Sequence, residues 1–131
     1  MKFIGLDGKV YAANLISQER SECSKLHERS RELLKTVFPL DQVLEEVNLP
    51  GANGLIADFL IPLRKIIVEC QGEQHFKYVK YFHKNILQLG KQRQRDDKKK
   101  LWCKINNYNL IYFNYNEDED EWRDKIYGQN E

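Results

Sequence analysis

Two apolar segments that follow each other closely constrain the fold of this chain most strongly. Residues 55–61 and 65–71 are both rich in Ile, Leu and Val, and only three residues, 62–64, separate them. A connection of that length joins antiparallel strands. The run at residues 66–68 (IIV) has no polar residue at alternate positions, which is typical of a strand covered on both faces. The second segment is therefore predicted to be the central strand of a sheet.

The periodicity of the N-terminal segments predicts the elements that precede this pair. Residues 1–14 are predicted to form a hairpin that turns at Asp7-Gly8, a favoured two-residue turn. Residues 22–36 have the apolar spacing of a helix, which Pro39 ends because proline cannot continue the hydrogen-bond ladder. Residues 43–47 are predicted to form another strand.

A long helix is predicted over residues 80–106, followed by a buried strand over 110–113 and a short helix over 119–127. The crossover through the long helix should be parallel and right-handed. The predicted fold class is α/β, with a mixed central sheet flanked by helices. Lys98, Leu101, Trp102 and Ile105 are expected to share one side of the long helix, with Trp102 as its apolar centre.

The composition is that of an ordinary soluble domain. Of the 131 residues, 41% are hydrophobic, yet no segment approaches the roughly 18 apolar residues of a membrane-spanning helix. A secretory signal is not expected, because glycines and an aspartate interrupt the apolar start. Cys23, Cys70 and Cys103 are too few and too scattered for a disulfide framework or a four-ligand zinc site. A reduced, cytoplasmic protein without a membrane partner is predicted.

The net charge of +1 conceals two segments of opposite sign. Residues 77–104 hold ten Lys or Arg against two aspartates, and residues 117–131 hold seven acids against two basic residues. A segregated basic segment favours a polyanionic partner, most simply nucleic acid. A plain solvated helix face is the alternative interpretation.

Asp58 and Glu69 are the acidic residues with the most unusual surroundings. Asp58 interrupts an apolar strand and Glu69 ends the next one, so the two can converge. A carboxylate there is costly unless it is paired or binds a metal. Mg²⁺ suits such a site because it takes oxygen ligands and keeps several waters. Alternatively, Asp58 caps a turn or pairs with Arg64, while Glu69 is exposed.

His75 follows the strand that carries Glu69 and is the candidate general base, because the unperturbed pKa of histidine is near neutrality. His27 is expected to be a partly buried helix residue, and His83 an exposed one. Cys70 is interpreted as a buried structural thiol rather than a nucleophile.

The long helix carries Asp96 and Asp97 among many cations. Pairing of both aspartates with neighbouring lysines is the simpler explanation of their presence. The cations of this region are the predicted contacts to DNA phosphates, which position a duplex without reading its sequence. These residues are Lys77, Lys80, Lys84, Lys91, Arg93, Arg95, Lys98 and Lys99.

Two stretches, residues 57–62 (ADFLIP) and 68–76 (VECQGEQHF), together resemble the PD-(D/E)xK nuclease superfamily. The similarity is greatest to the branch around the very-short-patch repair endonuclease, and within it to the phage-associated homing endonucleases whose site is summarised as E-D-x-H-D. Residues 24–28 (SKLHE) resemble the first helix with its glutamate, and residues 95–96 (RD) resemble the later Arg-Asp helix.

The resemblance implies a restriction-endonuclease-like αβββαβ core. The nuclease domain would cover residues 22–127, with an N-terminal hairpin extension over 1–21 and a tail over 128–131. In this domain Asp58 would be the main metal-binding carboxylate, Glu69 would occupy the second acidic position, and the backbone carbonyl of Cys70 would contact the ion. The implied cofactor is Mg²⁺, with Mn²⁺ as an alternative.

The resemblance also implies the remaining catalytic positions. His75 would activate water or stabilise the leaving group, and Glu28 and Asp96 would orient the water or His75. Gln71 stands at the position of the superfamily lysine and cannot act as a cation, which shifts weight to His75. Ala57 stands where the superfamily name has proline.

These features predict a metal-dependent endonuclease that hydrolyses phosphodiester bonds of double-stranded DNA. The uncharged Gln71 leaves an alternative open, a weak or inactive DNA-binding module that retains the nuclease fold. A domain of 131 residues has little surface for reading a long target. A homodimer, or a further DNA-binding domain in a longer protein, is therefore expected to supply specificity. A phage-encoded enzyme of this kind would act in the cytoplasm of the host cell.

Overall fold

A computed structural model describes residues 1–18, 23–72 and 83–128, with the side chains of residues 83–89 left out. Six strands and three helices lie in these ranges. In chain order they are β1 (Lys2–Ile4), β2 (Val10–Ala12), α1 (Lys25–Val37), β3 (Leu44–Asn48), β4 (Ile56–Ile61), β5 (Ile66–Gln71), α2 (His83–Ile105), β6 (Asn109–Asn114) and α3 (Glu119–Gly128).

The main sheet has four strands in the order β3-β4-β5-β6. The β3-β4 and β4-β5 pairs are antiparallel, whereas β5 and β6 are parallel, with Val68 opposite Ile111. The α/β class, the mixed sheet and the internal position of β5 are therefore confirmed. Parallel pairing requires a long connection, and α2 lies in the segment between β5 and β6.

Alternate residues of the central strands pack into two separate cores. Leu60 and Ile67 pack on one face with Trp102 of α2. Phe59 and Val68 pack on the other face in a core that also contains residues of α1 and α3. Both faces of the sheet are thus covered, which explains why residues 66–68 are uniformly apolar.

The first helix is shorter than the sequence predicts at its N-terminus. The predicted helix starts at residue 22, whereas α1 begins at Lys25. The start is set by Ser24, whose side chain caps the helix by accepting a hydrogen bond from His27 N–H at 3.1 Å. The helix ends at Val37, before Pro39, as predicted.

The N-terminal hairpin is confirmed, but its turn differs from the predicted one. Gly5 N–H donates to the carbonyl of Lys9 at 2.8 Å, so three residues rather than two form the loop. Gly8 has φ +80°, a conformation that glycine adopts without strain. The hairpin packs onto the end of α2, where Phe3 stacks on Trp102 with the ring centroids 5.7 Å apart.

The predicted apolar side of α2 is buried only in part. Lys98 is exposed and Leu101 is 47% exposed, whereas Cys103 is only 2% exposed. Trp102 is buried, as predicted. The face is centred nearer Cys103, because Lys98 and Leu101 lie on the opposite flank of Trp102. No helix within the described ranges is long and apolar enough to cross a membrane.

Candidate active site

The carboxylates of Asp58 and Glu69 lie together where β4 and β5 part. Backbone pairing of these strands extends to Phe59 opposite Val68. At the next pair of positions, Asp58 and Glu69, side-chain carboxylates accept hydrogen bonds from backbone N–H groups. Asp58 N–H donates to Glu69 Oε2 at 2.8 Å, and Cys70 N–H donates to Asp58 Oδ2 at 2.8 Å. The backbone of the neighbouring strand therefore fixes the orientation of both carboxylates.

Glu69 is a buried carboxylate paired with a cation. Its side chain is 7% exposed and its Oε1 contacts the ammonium of Lys99, whose side chain is 17% exposed. Burial raises the pKa of Glu69 to about 8; the charge of Asp58 raises this pKa as well, while Lys99 lowers it. Lys99 therefore only partly offsets the cost of ionising this buried carboxyl group beside Asp58.

A polar cavity of about 470 Å³ opens beside these carboxylates. Five of the predicted site residues lie on its wall: Asp58, Glu69, Cys70, Gln71 and Asp96. Arg95 and Lys99, two of the cations predicted to contact DNA, line the same cavity. Side chains from β4, β5 and α2, which are distant in sequence, thus meet at one point.

Both alternative interpretations of the acidic pair are wrong. Arg64 pairs with Asp41 at 3.2 Å, rather than with Asp58. Glu69 is buried rather than exposed at a strand end. Neither carboxylate therefore serves only to cap a turn or to face solvent.

Helical spacing brings Asp96 and Lys99 to the cavity. Cys103 lies four residues after Lys99 and seven after Asp96, so the three share one face of α2. Burial, together with the charge of Glu69, raises the pKa of the Cys103 thiol to about 12. Asp97 is exposed. Of the two aspartates, only Asp96 is thus half-buried on the cavity wall.

Tyr112 is a cavity residue that the sequence analysis missed. It lies opposite Glu69 in the parallel pairing of β5 and β6. Burial and the charges of Asp96 and Glu69 raise the pKa of its phenol, which therefore stays protonated at neutral pH. Tyr112 also lines a second cavity of about 480 Å³, which shares Gln71 and Asp96 with the first. The pairing register of β5 and β6, which places Tyr112 opposite Glu69, is the feature from which this residue can be identified.

One described site residue, Glu28, is not brought to the cavity, and other predicted site residues lie outside the described part of the chain. Glu28 is exposed in the first turn of α1 and does not occur among the described residues of the cavity wall. His75, Lys77 and Lys80 lie outside the described residues, as does the side chain of Lys84. Their proposed roles remain predictions from the sequence.

The remaining predicted DNA contacts on α2 are exposed cations. Lys91, Arg93, Arg95 and Lys98 are all accessible to solvent. Lys99 differs from them because it is largely buried against Glu69. The predicted surface role therefore describes the first four better than it describes Lys99.

His27 is packed in the interior, where it contacts Phe59 and Glu45. Its ring is buried, stacks on Phe59 with the centroids 4.4 Å apart, and lies 2.7 Å from the carboxylate of Glu45. Arg31 donates to both carboxylate oxygens of Glu45. His27 lies on the helix as predicted, but it is fully rather than partly buried.

The donor set at the cavity fits a hard divalent cation. Asp58 and Glu69 present carboxylate oxygens, which are ligands that Mg²⁺ prefers, and Mg²⁺ keeps several waters. Within residues 1–18, 23–72 and 83–128 no three His, Cys, Asp or Glu side chains form a group that could hold a metal ion. From the described side chains, a cation would thus have only a pair of carboxylates, and a backbone carbonyl and water would complete its coordination.

The comparisons with known proteins give one viral relative. The chain is 40% identical over 68 residues to "Uncharacterized protein 307L" of Invertebrate iridescent virus 6. That match covers 50% of this chain and 34% of the relative, so the chain spans about a third of the length of the protein it matches. No protein-family model matches the chain, and no solved structure matches it with significance.

Proposed function

We propose that this protein is a metal-dependent DNA endonuclease. The observation that carries the proposal is the pair of carboxylates, Asp58 and Glu69, held together on the wall of a polar cavity. Holding a buried carboxylate next to a second one is unfavourable for folding, as the raised pKa of Glu69 reflects. Such an arrangement is accounted for by a cation that binds there.

The finer fold assignment is part of the same proposal. The element order α1-β3-β4-β5-α2-β6 supports the proposal that the domain has a restriction-endonuclease-like αβββαβ core. In the resemblance, Asp58 and Glu69 are the acidic positions of the PD-(D/E)xK pattern. The proposal includes membership of the very-short-patch-repair-like branch, with the homing endonucleases as the nearest likeness.

Asp58 and Glu69 would hold the cation, and the carbonyl of Cys70 would be a further ligand. A divalent cation bound there supplies positive charge to the phosphate and lowers the pKa of coordinated water. Asp96, on the same cavity wall, would orient the attacking water. His75 would accept the proton that this water loses.

Double-stranded DNA is the proposed substrate because of the charges around the cavity. Arg95 lies on the cavity wall, and Lys91, Arg93 and Lys98 are exposed on the same helix. Lys100 lines the adjoining second cavity. Cations in this arrangement bind phosphates irrespective of base sequence. They would hold the backbone of a duplex against the carboxylate pair.

Cleavage of a supercoiled plasmid tests the proposal. The wild-type protein with Mg²⁺ is expected to nick or cut the plasmid, and EDTA is expected to abolish the reaction. Asp58→Asn should reduce cleavage by at least about 100-fold, as removal of a key electrostatic group does. It should also fold, because an asparagine oxygen can still accept the hydrogen bond from Cys70 N–H. DNA binding by this variant should remain.

Asp97→Asn is the matched control, since Asp97 is an exposed aspartate on α2 next to a cavity residue. It is expected to cleave within about twofold of wild type, as surface substitutions usually have small effects. Intact plasmid in both Mg²⁺ and Mn²⁺, together with salt-dependent DNA binding, would support a DNA-binding module that retains the fold. The neutral side chain of Gln71 on the cavity wall favours that second function.

A further inference from the structure

We propose that Lys99 is a catalytic residue, whose ammonium stabilises the negative charge that develops on the phosphate during cleavage. The inference rests on the proposed nuclease function and adds a residue to its site. It separates Lys99 from the exposed cations of α2, with which the sequence analysis grouped it.

Lys99 is held in an unusual position for a lysine on a charged helix. Its side chain is 17% exposed, and its ammonium contacts Glu69, which hydrogen-bonds to Asp58 N–H. A lysine that only binds the DNA surface has no need to be buried. Lys98, the preceding residue, is exposed and represents that ordinary case.

The ammonium of Lys99 has more hydrogen-bond donors than its contact with Glu69 uses. A lysine ammonium carries three N–H donors. Glu69 takes one of them, and Lys99 also lines the cavity beside Asp58. The remaining donors are therefore available to a phosphate oxygen that enters the cavity.

Among the described residues of the cavity wall, Lys99 differs from both Arg95 and Gln71. Arg95 lines the cavity but is exposed, so its charge is screened by water. Gln71, which follows Glu69 by two residues on β5, is neutral. Lys99 is therefore the cation on this wall whose position an ion pair fixes before substrate arrives. A group fixed in advance loses little reorganisation energy in the transition state.

The reaction balances with Lys99 in an electrostatic role. The oxygen of one water forms a bond to phosphorus, and the bond from phosphorus to one ester oxygen breaks. The ester oxygen leaves with the electron pair and takes up a proton, while the water loses a proton to a base. Lys99 keeps all of its protons and interacts with the non-bridging oxygens, whose negative charge increases in the transition state.

Steady-state cleavage of a duplex by four proteins tests the assignment: wild type, Lys99→Gln, Lys98→Gln and Lys104→Gln. Lys99→Gln keeps an N–H donor for Glu69, so it should fold, and circular dichroism checks this. We expect its kcat to fall about 100-fold with KM within about threefold of wild type. Lys98→Gln should raise KM and leave kcat within about twofold. Lys104→Gln, an exposed change near the C-terminal end of α2, should match wild type.

DNA binding without metal gives a readout that does not depend on activity. Lys98→Gln should reduce the slope of log K against log salt by about 0.9, the value for one lost phosphate contact. Lys99→Gln should leave the slope unchanged, because the Lys99 ammonium contacts Glu69 inside the cavity and does not lie on the exposed face of α2. If wild type cleaves but Lys99→Gln behaves as Lys98→Gln in both assays, the assignment of Lys99 is overturned. A wild-type protein that cleaves nothing overturns the nuclease function itself.

Discussion

Asp58 and Glu69 each combine a structural contact with a candidate catalytic one. Both accept a hydrogen bond from a backbone N–H group where the ladder between β4 and β5 stops. Truncation to alanine would leave a buried N–H without its partner, at a cost of about 1–3 kcal/mol. Asparagine and glutamine keep an oxygen acceptor, so they separate loss of charge from loss of structure.

Glu69 gives a prediction for the pH dependence of stability in EDTA. Its pKa is about 8 in the folded protein and 4.5 as an ordinary glutamate. Between these values the folded state binds more protons than the unfolded chain, so stability falls as pH rises. The contribution of this group is complete below about pH 4.5 and is lost as pH rises through about 8.

Urea unfolding of wild type and Glu69→Gln at several pH values measures this contribution. Relative to Glu69→Gln, the wild-type protein should lose unfolding free energy as the pH rises from 5 to 8. It should level off above the pKa of Glu69. Parallel pH profiles would show that the carboxyl group of Glu69 has an ordinary pKa.

The sequence identifies Asp58 and Glu69 more readily than it identifies Lys99. A carboxylate inside an apolar strand stands out because burial of a lone charge is costly. Lys99 is one of ten cations between residues 77 and 104, and composition does not distinguish the buried one. Its role depends on which flank of the buried Trp102 is covered, and the sequence does not show that Cys103 is covered while Leu101 is exposed.

Among the elements, the apolar runs predict the strands of the main sheet, but they do not predict how the N-terminal hairpin packs. The β4-β5 hairpin and the parallel β5-β6 pair follow from patterns within each segment. How the N-terminal hairpin packs does not, because it depends on residues about 100 positions away. Asn106 joins the two regions, since it accepts from Ile4 N–H at 2.8 Å and donates to the Ile4 carbonyl at 2.9 Å.

Phe3 should therefore stabilise the whole domain rather than a detached extension. Its side chain is buried in the core that contains Trp102. Phe3→Ala is expected to lower the unfolding free energy by about 3 kcal/mol, as large-to-small core substitutions do. Ile4→Ala, at an exposed neighbouring position, should cost less than about 1 kcal/mol. Thermal or urea unfolding measures both, and equal small losses would mean that the hairpin contributes no core packing.

At the scale of the whole molecule, the opposite charges of the chain lie in different structural environments. The acids near the C-terminus are partly neutralised by ion pairs, Glu117 with Lys125 at 2.6 Å and Glu119 with Arg29. Among the described cations of α2, Arg95 is exposed on the cavity wall, and Lys91, Arg93 and Lys98 are exposed on the same helix. A net charge close to zero therefore conceals several exposed cations on the helix that borders the acidic pair.

Asp58 and Glu69 are proposed to form a divalent-metal site. An anomalous difference map from crystals soaked in Mn²⁺ tests it most directly, with Asp58→Asn crystals treated in the same way. We predict a strong peak at the Asp58 carboxylate in the wild-type protein, and its loss in Asp58→Asn. Mn²⁺ found only elsewhere, for example on the acids of residues 117–121, or an equal peak in the variant, would contradict the account.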